Sequence, residues 1–240
     1  MTDPDTKADW RYASLALAGL LLLVLVSYHE TVANILAKWN QLQQGEFAHG
    51  YLVLAISLYL VFIKRRTLAA LRPCEKALAL IAVATGSLLW LVAVVVDVQM
   101  VQDFALLLLV MFVIWTVTGS HIARQLLLPV LFLVFAISVW SPLAPLLQEL
   151  TADVVFWMTR AAGVPAMRQD HMIVLPAGRL SIDEACSGLR YLLAALTLGV
   201  LYAYLNFQDA WARILVVVIA VVAAVASNIL RVFIVVYLAY

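Results

Sequence analysis

The chain has little of what a water-soluble protein needs. Only 12% of its 240 residues are charged while 66% are apolar, a balance far from that of a soluble globular domain. Its net charge is +1, and binding a polyanion needs a clustered excess of Lys and Arg, so a nucleic-acid partner is excluded. Two cysteines, Cys74 and Cys186, are too few for a disulfide framework. The sequence has no GxSxG, HExxH or P-loop pattern, which removes several hydrolase and ATPase readings. It also has no metal-ligand cluster and implies no cofactor. Neither an internal repeat nor a low-complexity linker divides it, and a single membrane-embedded domain over 1–240 is expected.

Long apolar runs take the place of charge. They fall at about 12–28, 50–63, 77–96, 104–118, 123–140, 188–205 and 213–240. A spanning helix needs roughly 20 largely apolar residues, so the expected class is an all-α polytopic membrane protein with about seven transmembrane segments. No small-residue cleavage site follows the first run, which reads as a retained helix rather than a signal peptide. The last run is long enough either to project past the hydrocarbon core or to break near Ser227 and Asn228.

Basic residues orient the spans, because short cytoplasmic loops are enriched in Lys and Arg. Lys7, Arg11, Lys64, Arg65, Arg66, Arg72, Lys76, Arg124 and Arg213 fall on one side; Lys38, Arg160, Arg168 and Arg179 fall on the other. The amino terminus is therefore predicted to be cytoplasmic. Segments 29–49, 97–103 and 141–187 are then extracytoplasmic, Asp97 and Asp103 bracket a tight outer turn, and Cys74 and Cys186 lie on opposite sides. Within 141–187, Leu143, Leu146, Leu147, Leu150, Val154, Trp157 and Met158 recur at three- and four-residue spacing, the pattern of an amphipathic helix on or in the membrane surface. Pro176-Ala-Gly178, between two short apolar runs, reads as a hairpin that delivers the chain to Cys186.

Cys186 stands where this outer segment enters a span, and helix amino-terminal amides can stabilise a thiolate or an oxyanion. The competing reading is a packed, inert thiol. Arg190 is four residues on and so is expected on the same helical face, one turn deeper toward the bilayer, where it either serves a site or snorkels to the interface. Arg231 interrupts a continuous apolar run, and 18 residues of helix from Arg213 lift it by roughly 27 Å, back to the level of Cys186. Asn228, one turn earlier, is placed to orient its guanidinium. His49, in the segment opening the second span, and Glu184, beside the Cys, are further candidates; each reads equally as an ordinary loop residue.

In order and spacing, Phe47-Ala-His49-Gly50, Gly163-Val-Pro165, Glu184-Ala-Cys186-Ser-Gly188-Leu-Arg190 and Asn228-Ile-Leu-Arg231 resemble the exosortase/archaeosortase family, from about Trp39 to the end. The resemblance implies a membrane cysteine transpeptidase in the bacterial cytoplasmic (inner) membrane, with its site facing the periplasm. Its partners would be exported proteins carrying a carboxy-terminal signal of the PEP-CTERM type: a Pro-Glu-Pro-like motif, a transmembrane helix and a basic tail. The family's cysteine is matched by Cys186 and the Arg of its NxxR element by Arg231. A further basic residue, commonly His in bacterial members, is expected in a segment after the NxxR helix. The chain ends at Tyr240 before that segment, so a final span is expected to be missing; His49 and His171 are on the correct side to substitute for that residue. Cys186 would form a thioester, Arg231 preset by Asn228 would stabilise thiolate and oxyanion, and Arg190 and Glu184 would position substrate or each other. Three other readings stay open: a hydrolytic protease with the same site, an anion transporter lined by Arg190 and Arg231, and a non-catalytic scaffold.

Overall fold

The computed structural model describes residues 4–41, 45–169, 172–176, 178–182, 186–238 and 240. The chain divides into two compact units, Met1–Val139 and Trp140–Tyr240.

The first unit contains α1 (Pro4–Ser27), α2 (His29–Trp39), α3 (Gly50–Ile63), α4 (Arg65–Ala69), α5 (Ala79–Val95), α6 (Gln99–Thr118) and α7 (Ser120–Phe132), which tightens into a 3-10 turn over Leu133–Ala136. α6 is its pillar and packs against α1, α2, α5 and α7. Lipid tails are as apolar as leucine, so close packing and polar contacts, rather than water exclusion, hold such helices together. Trp90 Nε1 accordingly donates to Thr31 Oγ1 (2.9 Å), and Ser57 Oγ to the Pro129 carbonyl (2.8 Å). Pro129 lacks the N–H that would serve the carbonyl of Gln125, and Lys64 Nζ takes that carbonyl instead (2.8 Å).

Two details of this unit differ from expectation. Segment 29–49 contains a helix, α2, which buries Thr31, Ile35 and Trp39 along one face. α6 starts at Gln99 rather than at 104, so Asp103 lies inside a helix and is buried, while Asp97 makes the turn in a left-handed conformation (φ 56°). Asp103 Oδ2 lies 3.7 Å from Lys38 Nζ and accepts the Ser138 N–H (3.2 Å); its Oδ1 accepts Gln99 Nε2 (2.7 Å). Lys38 Nζ also donates to Ser138 Oγ. Burying a carboxyl group is costly unless donors of this kind surround it.

The second unit contains α8 (Leu143–Ala161), three antiparallel strands β1 (Met167–Gln169), β2 (Met172–Leu175) and β3 (Gly178–Ser181), then α9 (Leu189–Asn206) and α10 (Ala210–Leu238). The expected hairpin is β2–β3, with Ile173 opposite Leu180 and Leu175 opposite Gly178; β1 adds a strand through Arg168 opposite Ile173. The expected amphipathic helix is α8, but its packing face is not the leucine stripe. Leu146, Leu150 and Trp157 are exposed, and the buried residues are Ala144, Thr151, Ala152, Val155 and Thr159. Small residues let helices approach closely, whereas large apolar side chains suit a lipid-facing surface. Ala152 and Val155 join Ile173, Leu175, Ile182, Val232 and Val236 in the core of the unit.

α9 and α10 form a hairpin whose three-residue turn is secured by Arg213 Nε donating to the Phe207 carbonyl (2.9 Å). A Cβ on Gly199 would lie 2.9 Å from Ala220 Cβ, so the two helices are in near-backbone contact there. α10 is one helix of 29 residues that continues through Ser227 and Asn228. Four helical segments are long and apolar enough to cross a membrane: Asp9–Ser27, Gln99–Thr118, Leu189–Asn206 and Ala210–Leu238; Gly50–Ile63, Ala79–Val95 and Ser120–Ala136 are apolar but shorter. The first and last spans are mostly exposed along their length, as expected of helices whose solvent is lipid.

Candidate active site

The turn that opens α9 sets the position of Cys186. Gly188 caps the helix in the left-handed region (φ 85°, ψ 5°), and Leu189 is the first helical residue. Ser187 Oγ accepts the Leu189 N–H (3.3 Å), and the Gly188 carbonyl takes the first helical bond, from Leu192 N (2.9 Å). Cys186 therefore precedes the helix, and Arg190, half-buried in its first turn, does not share a helical face with it. The Cys186 side chain is half-buried against the core formed by α8, the sheet and α10.

Gly188 is required twice over. Its backbone conformation penalises any residue with a Cβ, and a Cβ there would lie 2.5 Å from Asn228 Cγ. The absent side chain is what lets the Asn228 amide reach the loop. Nδ2 of Asn228 donates to the Cys186 carbonyl (3.0 Å) and to Thr151 Oγ1 on α8 (3.4 Å); Oδ1 accepts from Arg231 Nη2 (3.4 Å). A carbonyl can only accept and a guanidinium can only donate, so this orientation of the amide is dictated by its partners. Asn228 is 3% exposed, and a buried amide so fully partnered cannot be replaced without orphaning a group.

Arg231, one turn further along α10, is held from a second side. Its Nη1 donates to Tyr191 Oη (3.1 Å), and its Cζ lies 5.0 Å from the Tyr191 ring centroid, within cation–π range. The structure thus brings together Cys186, Asn228 and Arg231, and adds Thr151 and Tyr191. Sequence reading passed over both additions: a threonine inside an amphipathic helix and a tyrosine near a span end are each ordinary.

His49 belongs to the first unit. Its Nε2 donates to the Phe135 carbonyl (3.0 Å), and Gly50 lies against the Trp39 indole, where a Cβ would collide. Trp39 Nε1 in turn donates to the Ala136 carbonyl (2.8 Å). This His-Gly pair thus has packing and hydrogen-bonding work within its own unit. Glu184 and His171 lie outside the described residues. Among the described residues no three His, Cys, Asp or Glu side chains converge as metal ligands would.

Fold and site together define a class: a multi-pass helical membrane protein in which a buried amide ties a cysteine turn to a guanidinium at one end of two candidate spans. A sequence model of the transmembrane exosortases matches residues 39–240, and the chain belongs to that family. Membership supports a role in processing sorting signals at a membrane. No curated protein and no solved structure matches the chain.

Proposed function

We propose that this protein is a membrane cysteine transpeptidase that cleaves carboxy-terminal sorting signals of exported proteins at the extracytoplasmic face. The observation that carries this reading is the Asn228 amide, which bonds the Cys186 backbone with one end and the Arg231 guanidinium with the other. A nucleophile and a cation fixed through one rigid group are preorganised relative to each other, which is what an acyl-transfer site needs.

In the proposed reaction the Cys186 thiolate attacks the scissile carbonyl carbon. Arg231 stabilises the oxyanion as the C–S bond forms. Collapse breaks the C–N bond, the leaving amine takes a proton from water to replace the one Cys186 released to solvent on ionising, and the amino-terminal part of the substrate stays as a thioester. An acceptor nucleophile then displaces Cys186 and carries the exported protein away. The substrates in this reading are proteins with a PEP-CTERM-type signal, and the setting is the bacterial inner membrane with the site facing the periplasm. The positive-inside bias of the loops, nine basic residues against four, supports that orientation.

The test is sorting-signal cleavage in membranes containing wild-type protein or Cys186→Ala. Wild type should release a shortened product and, without acceptor, accumulate a hydroxylamine-labile adduct. Full cleavage by Cys186→Ala would falsify the proposal.

A further inference from the structure

An open groove of about 590 Å³ runs along the seam of α9 and α10. One wall carries Tyr191, Leu198 and Tyr202 and the other Ala223 and Ser227, with Gly199 in its floor. Tyr191 and Tyr202 are eleven residues apart, about 16 Å of helix. Both walls belong to helices long and apolar enough to span a membrane.

The groove does not end blindly. Tyr191, its last residue on α9, is the residue that accepts the Arg231 hydrogen bond, and Arg231 follows Ser227 by one turn on the α10 wall. An occupant therefore meets about three turns of uncharged surface and then a guanidinium. That sequence of environments suits an apolar segment preceded by carbonyl or carboxylate oxygens.

Whether the segment is a helix or a lipid chain turns on the lining. Ala223, Gly199 and Ser227 have little side chain, which lets a second backbone come close, as in packed membrane helices. Ser227 and Tyr202 are exposed, and neither hydroxyl has a hydrogen-bond partner among the described residues. Each can bond a polar group on a neighbouring helix, which an acyl chain lacks.

The geometry points to this groove as the docking site for the transmembrane helix of the substrate, seated so that the segment preceding the helix emerges at Arg231. The inference rests on the proposed peptidase reading, to which it adds the place where the partner binds. Tyr191 is the junction: its ring lines the groove while its hydroxyl holds the guanidinium, so the docked helix and the oxyanion-stabilising group share one support.

The experiment uses full-length protein in proteoliposomes and a reporter carrying a Pro-Glu-Pro-type motif, an apolar helix and a basic tail. Ala223→Leu fills the groove with a good helix former on an exposed position. It should lower reporter cleavage by about tenfold or more, the scale on which helix–helix contacts in membranes act, while iodoacetamide still labels Cys186 at the wild-type rate. Unchanged cleavage overturns the inference. If labelling falls too, a photo-crosslinking amino acid at Leu198 decides: an adduct with the reporter helix supports the groove, and an adduct with lipid alone overturns it. The two readings fail separately. Cleavage by Cys186→Ala removes the peptidase reading, whereas an inactive Cys186→Ala together with lipid-only crosslinking removes the groove alone.

Discussion

The side-chain amide of Asn228 holds the main-chain carbonyl of Cys186 at 3.0 Å, across the gap that Gly188 leaves open. A span residue thereby fixes a loop residue 42 positions earlier in the chain. Much of what can be tested follows from that one bond.

Asn228→Asp is nearly isosteric, and its carboxylate can still accept from Arg231. It cannot donate to the Cys186 carbonyl or to Thr151, so acceptor would face acceptor. Cleavage should be lost, as in Asn228→Ala, and the released loop should cost about 1–3 kcal/mol of stability. Thermal unfolding in detergent and a cleavage assay check both effects. An active Asn228→Asp would mean that the amide serves only as a counter-group for Arg231.

Gly188→Ala and Gly163→Ala form a matched pair. Both glycines are left-handed, with φ of 85° and 83°, which costs a residue with a Cβ roughly 1–2 kcal/mol. A Cβ at Gly163 meets nothing within 4 Å, whereas one at Gly188 strikes Asn228. Gly188→Ala should therefore be the less stable variant and the only one to lose cleavage. Equal melting temperatures and activities would remove the close-approach argument.

Arg231→Lys keeps the charge and loses the fork. An ammonium cannot serve Tyr191 Oη and Asn228 Oδ1 in the same geometry as two guanidinium nitrogens. The turnover rate should fall by roughly 10²–10³, the size expected for a displaced oxyanion donor. Iodoacetamide labelling of Cys186 should persist, showing that the thiol is still presented.

In the first unit, Asp103→Ala leaves the Ser138 N–H and Gln99 Nε2 without their acceptor and removes the counter-charge of Lys38, which among the described residues keeps only its bond to Ser138 Oγ. A loss of about 1–3 kcal/mol or more is expected, with the double variant Lys38→Met, Asp103→Leu recovering part of it, because replacing both partners of a buried pair is far milder than removing one. Melting temperatures of the single and double variants make the comparison. Additive losses would show that the pair is not coupled.

How much of this was legible beforehand depended on the range of the signal. α10 was readable because lipid demands an unbroken apolar run, and Arg231 was conspicuous inside it. α8 was readable from its three- and four-residue spacing, yet its inward face was not: Leu146, Leu150 and Trp157 of that stripe are exposed, Leu143, Leu147, Val154 and Met158 are only half-buried, and Thr151 and Val155 form the buried face. Asp103 sat beside an apolar run like any turn residue, and its partner Lys38 is 65 positions away, so nothing local announced a buried charge. α2 was missed because only every fourth residue on one face is buried, too sparse a pattern for a span. The link from Tyr191 to Arg231 joins two helices 40 residues apart and exists only once α9 and α10 are paired.

α10 also works as a ruler. Its 29 residues extend to about 43 Å against a hydrocarbon core of about 30 Å, and the helix is not interrupted along that length. A rod longer than its membrane tilts, and the tilt changes with bilayer thickness. Arg213 at the turn and Arg231 beside Tyr191 ride on the same helix, about 27 Å apart along its axis, so any change in its tilt moves both guanidinium groups together.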